Sequence, residues 1–214
     1  QIELQGHYYS GQSTTLNLAD FSANTGITTF TQLSLNNLNT YQAQHALVID
    51  EAQVELSANQ SSRLLVTISN VLINKLTLNV EQNSSKATNI EQLIENITLK
   101  LAKDYPEIYP TVSAKLYAEN NPELSAEKYA ESHPQAGPIV EHTKQKKKRG
   151  KPQQKIIISA INIKTLELNI TQQGVVNSAQ KHNINISTLG GNEGFMANQV
   201  GGEVLLNLLY LANQ

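Results

Sequence analysis

A chain of 214 residues, 39 % hydrophobic and 16 % charged, is long enough for one large domain or two small ones and can bury a core. Its apolar content lies below the roughly 45–50 % of ordinary folded domains, and amide and hydroxyl residues fill the gap, as suits sheets with one wetted face. A formal net charge of −2 argues against whole-molecule attraction to nucleic acid, and the absence of cysteine excludes disulfides and thiolate metal sites.

From residue 2 to residue 56 the signals are strand-like. Residues 14–20 alternate, residues 27–35 are rich in Thr, Phe and Ile, and residues 46–56 carry β-branched side chains at short intervals. Gly11, the Asn24-Thr-Gly26 triplet and residues 36–40 punctuate them as turns, so this part reads as an antiparallel meander.

Residues 63–82 and 155–172 are two copies of one pattern, aligned without a gap at a constant offset that sets Ile158 against Ile68. The copies share Ile68/Ile158, Ser69/Ser159, Ile73/Ile163, Leu76/Leu166, Leu78/Leu168, Asn79/Asn169 and Gln82/Gln172. Their apolar residues alternate, which predicts two long strands lying near each other in one sheet. Strict alternation would place Ile68 and Ile73 on opposite faces. A single core therefore requires a bulge or register change between Ser69 and Leu76, repeated in the second copy.

After the first copy the period becomes helical. Ile90, Leu93, Ile94, Ile97 and Leu101 share one face behind a Thr88-Asn-Ile-Glu91 capping box, and Pro106 ends the helix near Asp104. Residues 105–154 shift in composition, with prolines and short apolar clusters. They read as an insertion outside the core, with short helices at residues 113–120 and 125–132 and the least ordered part at residues 142–154. Its basic run, Lys144, Lys146, Lys147, Lys148, Arg149 and Lys151, has no apolar partner. Such a run is ordinarily a solvated segment, and its functional reading is contact with an anionic membrane surface. Beyond the second copy, residues 183–187 predict a short strand, residues 189–194 a glycine-rich turn, and residues 196–212 a helix in which Gly201 and Gly202 imply a close approach to the sheet. The expected organisation is a sheet meander and first helix over residues 1–104, the insertion over 105–154, and a third part over 155–214 that completes the same domain. The fold class is α+β, a long antiparallel, curved β-sheet with two or more helices packed on it.

Little in the chain points to a reaction. His7, His45, His133, His142 and His182 lack metal-ligand spacing, and no nucleophile elbow or phosphate-binding loop is present. Asp50 and Glu51 are adjacent, so on a strand they point to opposite faces. The sequons at Asn83, Asn96, Asn169 and Asn185 are the product of an amide- and hydroxyl-rich composition. The chain reads as non-enzymatic, without cofactor or metal.

The order of elements resembles the AsmA-like periplasmic proteins of Gram-negative bacteria. The carrying residues are Leu33-Ser-Leu-Asn-Asn-Leu-Asn-Thr-Tyr41, the strand over residues 46–56, and residues 72–81 followed by Thr88-Asn-Ile-Glu-Gln-Leu93. A basic linker, a second strand at residues 155–163 and a closing segment at residues 184–194 complete the order. Leu38 stands where the family has Pro, and Thr40 where it has Gly. The resemblance implies a periplasmic protein tethered to the inner membrane by an N-terminal anchor. It also implies a role in envelope assembly or lipid handling, with phospholipid or an envelope protein as partner. A chain that starts at Gln1, with Met196 as its only methionine, fits an excised portion that has lost such an anchor. The alternative is a structural domain with a fully packed sheet that binds only protein.

Overall fold

The computed structural model describes residues 2–83, 87–120 and 154–213. Helix α1 (Ile2–Ser10) leads into β1 (Thr14–Ser22), β2 (Ile27–Asn36), β3 (His45–Leu56) and β4 (Leu65–Glu81). Two helices follow, α2 (Asn89–Asp104) and α3 (Pro110–Asn120). The chain then runs through β5 (Lys155–Ile158), β6 (Ile161–Gln172), β7 (Val175–Ile186) and β8 (Phe195–Met196) into α4 (Val200–Tyr210). The eight strands described form one open sheet, so the fold is α+β with helices packed on the sheet.

β1 to β4 form the expected antiparallel meander. The two repeat copies are indeed neighbours, but they are parallel: β4 pairs with β5 from Leu65↔Lys155 to Ile68↔Ile158 and with β6 from Val71↔Ile161 to Glu81↔Thr171. The sheet is thus mixed and mostly antiparallel. Parallel neighbours need a long crossover, and the stretch that contains α2 supplies it. The repeat offset is itself the parallel register, because equivalent residues stand side by side.

Every central strand steps its core face by three residues at the same height. Buried positions run Ile73 then Leu76 in β4, Ile163 then Leu166 in β6, and Ile49 then Ala52 in β3. Pairing carries the step outward, to Leu33 and Phe30 in β2, Leu16 and Ala19 in β1, and Lys181 and Ile184 in β7. Gln32 (φ 51°) and Asn183 (φ 57°) sit within it in the left-handed region that amide side chains tolerate. Because all strands step together, no pair loses register there. A second irregularity lies between Glu55 and Leu56, where Ser69 is the extra residue of a bulge in β4 and its hydroxyl donates to the Glu55 carbonyl at 3.1 Å. In the second copy the same place is the break between β5 and β6, where Ser159 N–H donates to the Ile68 carbonyl at 2.8 Å. Ile68, Val71, Ile73, Leu76 and Leu78 thereby all serve one core.

α2 lays Ile90, Leu93, Ile97 and Leu101 onto that face, each fully buried. Its start is the expected capping box: Glu91 N–H donates to the Thr88 hydroxyl at 3.1 Å and Thr88 N–H to the Glu91 carboxylate at 2.9 Å. Thr88→Ala is expected to cost about 1 kcal/mol in chemical denaturation. The Thr88 backbone N–H, then its hydroxyl, hold the Glu91 carboxyl below its usual value. A depressed acid stabilises above its unfolded pKa, roughly 4.3, and loses that contribution as pH falls through the folded value. The destabilisation by Glu91→Ala should therefore shrink below about pH 4.

Three expectations are corrected here. Residues 2–10 are a helix, not a strand; nine residues are too few for intrinsic stability, and packing of Gly6, Tyr9 and Ser10 holds them. The short strand expected at residues 183–187 is the end of the twelve-residue β7. The glycines of α4 approach helices rather than the sheet: a Cβ on Gly202 would lie 2.9 Å from Tyr9 Cγ and 3.0 Å from Leu101 Cδ2.

The expected boundary at residue 104 does not mark the end of the core. Tyr105 is buried in it, the Ser113 hydroxyl donates to the Ala102 carbonyl at 2.7 Å, and the Tyr109 hydroxyl donates to Glu203 Oε1 at 2.6 Å. The helix expected at residues 125–132 lies outside the described residues.

Candidate functional site

The two faces of the sheet differ in chemistry. On the helix-bearing face, pairing defines rows across the strands, since residues opposite each other share a side. The rows of Leu78, Leu76 and Ile73 lie in the core with α2. The next row, Val71, Val54, Thr28 and Phe21, runs outward from that core toward β1, and Leu56 pairs with Ile68 beyond it. Phe21 is 58 % exposed and Leu56 42 %. Phe30 and Val54, half-buried, join them in an apolar strip at the far ends of β1, β2 and β3.

The opposite face is wet and tied together by amides. Asn185 donates to Asn162 and Asn162 to Asn70, both at 2.7 Å. A second row runs from the Ser178 hydroxyl to Asn169 at 2.7 Å, from Asn169 to Asn79 at 2.9 Å and from Asn79 to the His45 carbonyl at 2.7 Å. The repeated Asn79 and Asn169 are thus rungs of one ladder. Lys75 pairs with Glu167 at 3.1 Å, and that ammonium, with the Gln180 amide, holds the Glu167 carboxyl below its usual value.

A cleft of about 770 Å³ opens between α1, α2 and α3, lined in part by Tyr8, Tyr9, Lys100, Lys103 and Ser113. Lys100 Nζ sits 4.1 Å above the Tyr8 ring, whose hydroxyl donates to Asp104 at 2.9 Å. Burial, above all, pushes the Tyr9 phenol up, so it stays protonated and acts as a donor, to the Asn198 carbonyl at 2.9 Å, not as a nucleophile. Among the described residues no carboxylate lines this cleft, so those residues offer a ligand hydroxyls and two ammonium groups rather than an acid/base pair.

His7, His45 and His182 bond separately to the Gln12 carbonyl, Asn36 and Thr165. Among the described residues no three His, Cys, Asp or Glu side chains gather as a metal site, and no helix is long and apolar enough to cross a membrane. Lys144, Lys146, Lys147, Lys148, Arg149 and Lys151, like His133 and His142, lie outside the described residues. The strip was not singled out from the sequence. Its one signal was Phe21 and Leu56 at strand ends, and alternation alone could not tell which face they occupy.

No protein-family model matches the chain, and no curated protein matches it.

Proposed function

We propose that the chain is a non-enzymatic, AsmA-like envelope protein of the Gram-negative periplasm that contacts phospholipid through the apolar strip of Phe21, Phe30, Val54 and Leu56. The observation that carries this reading is the continuation of the apolar sheet face beyond its helical cover, with Phe21 and Leu56 left in water. An acyl chain laid there removes apolar surface on both sides, and fully burying such a side chain contributes about 1.5–3 kcal/mol. The AsmA resemblance supplies the compartment and the lipid class. A sheet that packed both ends of this face under helices would have favoured the protein-only alternative.

Native mass spectrometry of protein purified from bacterial membranes without added lipid tests the proposal. The wild type should carry phospholipid, and the double variant Phe21→Asp/Leu56→Asp should lose it. Both positions are exposed, so the variant's stability should move by no more than about 1 kcal/mol, about 0.5 kcal/mol for each substitution. Wild-type protein free of lipid, or a variant that retains it, would sink the proposal.

A further inference from the structure

The two long edges of the sheet are not alike. On β1 the Leu16 N–H donates to Glu3 Oε1 at 2.9 Å instead of to β2, so a carboxylate from α1 occupies an edge donor. On β7, among the described residues, the edge carries no covering element: the strand pairs there only with β6, and its first nine residues, Val175 to Asn183, are exposed. It contains no proline, no acid and a single lysine, Lys181. Free strand edges of this length are ordinarily guarded by charges, prolines or a covering element.

β7 is also not a regular edge. Its helix-face positions run Ala179, Lys181, Ile184, Ile186, with the three-residue step at Asn183. An ordinary strand laid along it would match faces on one side of that step and mismatch them on the other. A matching strand needs the same step, and β7 itself has it. Set antiparallel about a two-fold axis perpendicular to the sheet, Lys181 of one copy faces Ile184 of the second. Ala179 then faces Ile186, Gln180 faces Asn185 and His182 faces Asn183. Helix-face residues meet helix-face residues along the whole overlap, the steps coincide, and no like charges stand opposite each other.

We infer that β7 is a dimerisation edge, on which a second copy of this chain pairs antiparallel through β7 and extends the sheet across a two-fold axis. Head-to-tail pairing of β7 with β1 would also align the steps. It would displace Glu3 from Leu16 and leave an open end at each addition, whereas the two-fold arrangement closes. Antiparallel ladders are also the more stable per residue.

The chain has no cysteine, so engineered thiols report only their own positions. The wild type should sediment as a dimer. Gln180→Cys and Asn185→Cys variants, both substituted at exposed sites, should form a covalent heterodimer under mild oxidation when mixed, in clear excess over the homodimers each forms alone. Monomeric wild-type protein overturns the inference. So does equal cross-linking in all three samples, which would mean no fixed register. A ladder of increasing masses overturns it too, because it marks head-to-tail growth.

Discussion

Leu78→Asp is expected to unfold the protein, and Leu168→Asp to do the same. The two leucines stand side by side in β4 and β6, Leu78 fully buried and Leu168 only 6 % exposed, in one cluster with Leu47 and the apolar face of α2. Aspartate at either site loses the leucine's burial and places a carboxylate among aliphatic side chains. The loss is several kcal/mol, against a total stability on the order of 5–15 kcal/mol for a domain. Thermal unfolding followed by circular dichroism should show no cooperative transition in either variant. A folded variant that had only lost phospholipid would move these positions from the core to the binding face. The pair also tests the equivalence of the two copies, since a large loss at one position and none at the other would leave the repeat without energetic content.

How far the fold was legible follows from where the signals are local. Apolar alternation in the two copies specified strands, and the odd spacing of Ile68, Ile73 and Leu76 specified a face change that the bulge at Ser69 and the step at residues 74–75 both provide. The helical period and capping box located α2 to within one residue of its observed C-terminal end at Asp104. Strand direction was not legible, because alternation is the same for parallel and antiparallel neighbours and only the length of the crossover separates them. β7 was read too short because its exposed polar residues carry no period. The Gln173-Gly174 pair was an available signal, since both residues adopt positive φ (52° and 80°) in a two-residue hairpin that joins Gln172 to Val175. α1 was missed for a different reason: its residues show no strong helical face, and contacts with α4 and α2, distant in sequence, hold it. The apolar strip depends on which face of β1 to β3 meets the helices, which is a property of the assembled sheet.

Glu81→Ala is expected to cost about 3 kcal/mol or more, although Glu81 touches neither the strip nor the cleft. This carboxylate is 5 % exposed, and no lysine, arginine or histidine among the described residues pairs with it. Its charge is held by hydrogen bonds instead: Gln42 N–H donates to Oε2 at 2.7 Å, and Ala43 N–H and the Asn37 side chain donate to Oε1 at 2.6 and 3.1 Å. The network closes through α2. Asn89, its buried first residue, donates to Asn37 at 2.9 Å and to the Asn79 carbonyl at 2.7 Å, and accepts from Glu81 N–H at 2.8 Å. One carboxylate therefore ties the β2–β3 connection to the end of β4 and the start of α2. Removing it strands three donors away from water, each worth about 1–3 kcal/mol when unsatisfied. Glu81→Gln keeps the shape and one acceptor but turns its amide N–H₂ toward a donor, so about half the loss is expected. Hydrogen exchange should localise the damage: amides of residues 37–44 and of the first turn of α2 should lose protection first, with the central strands protected until global unfolding. Uniform loss across the sheet, or a change in melting temperature too small to measure for Glu81→Ala, would show that the carboxylate does not organise this corner of the fold.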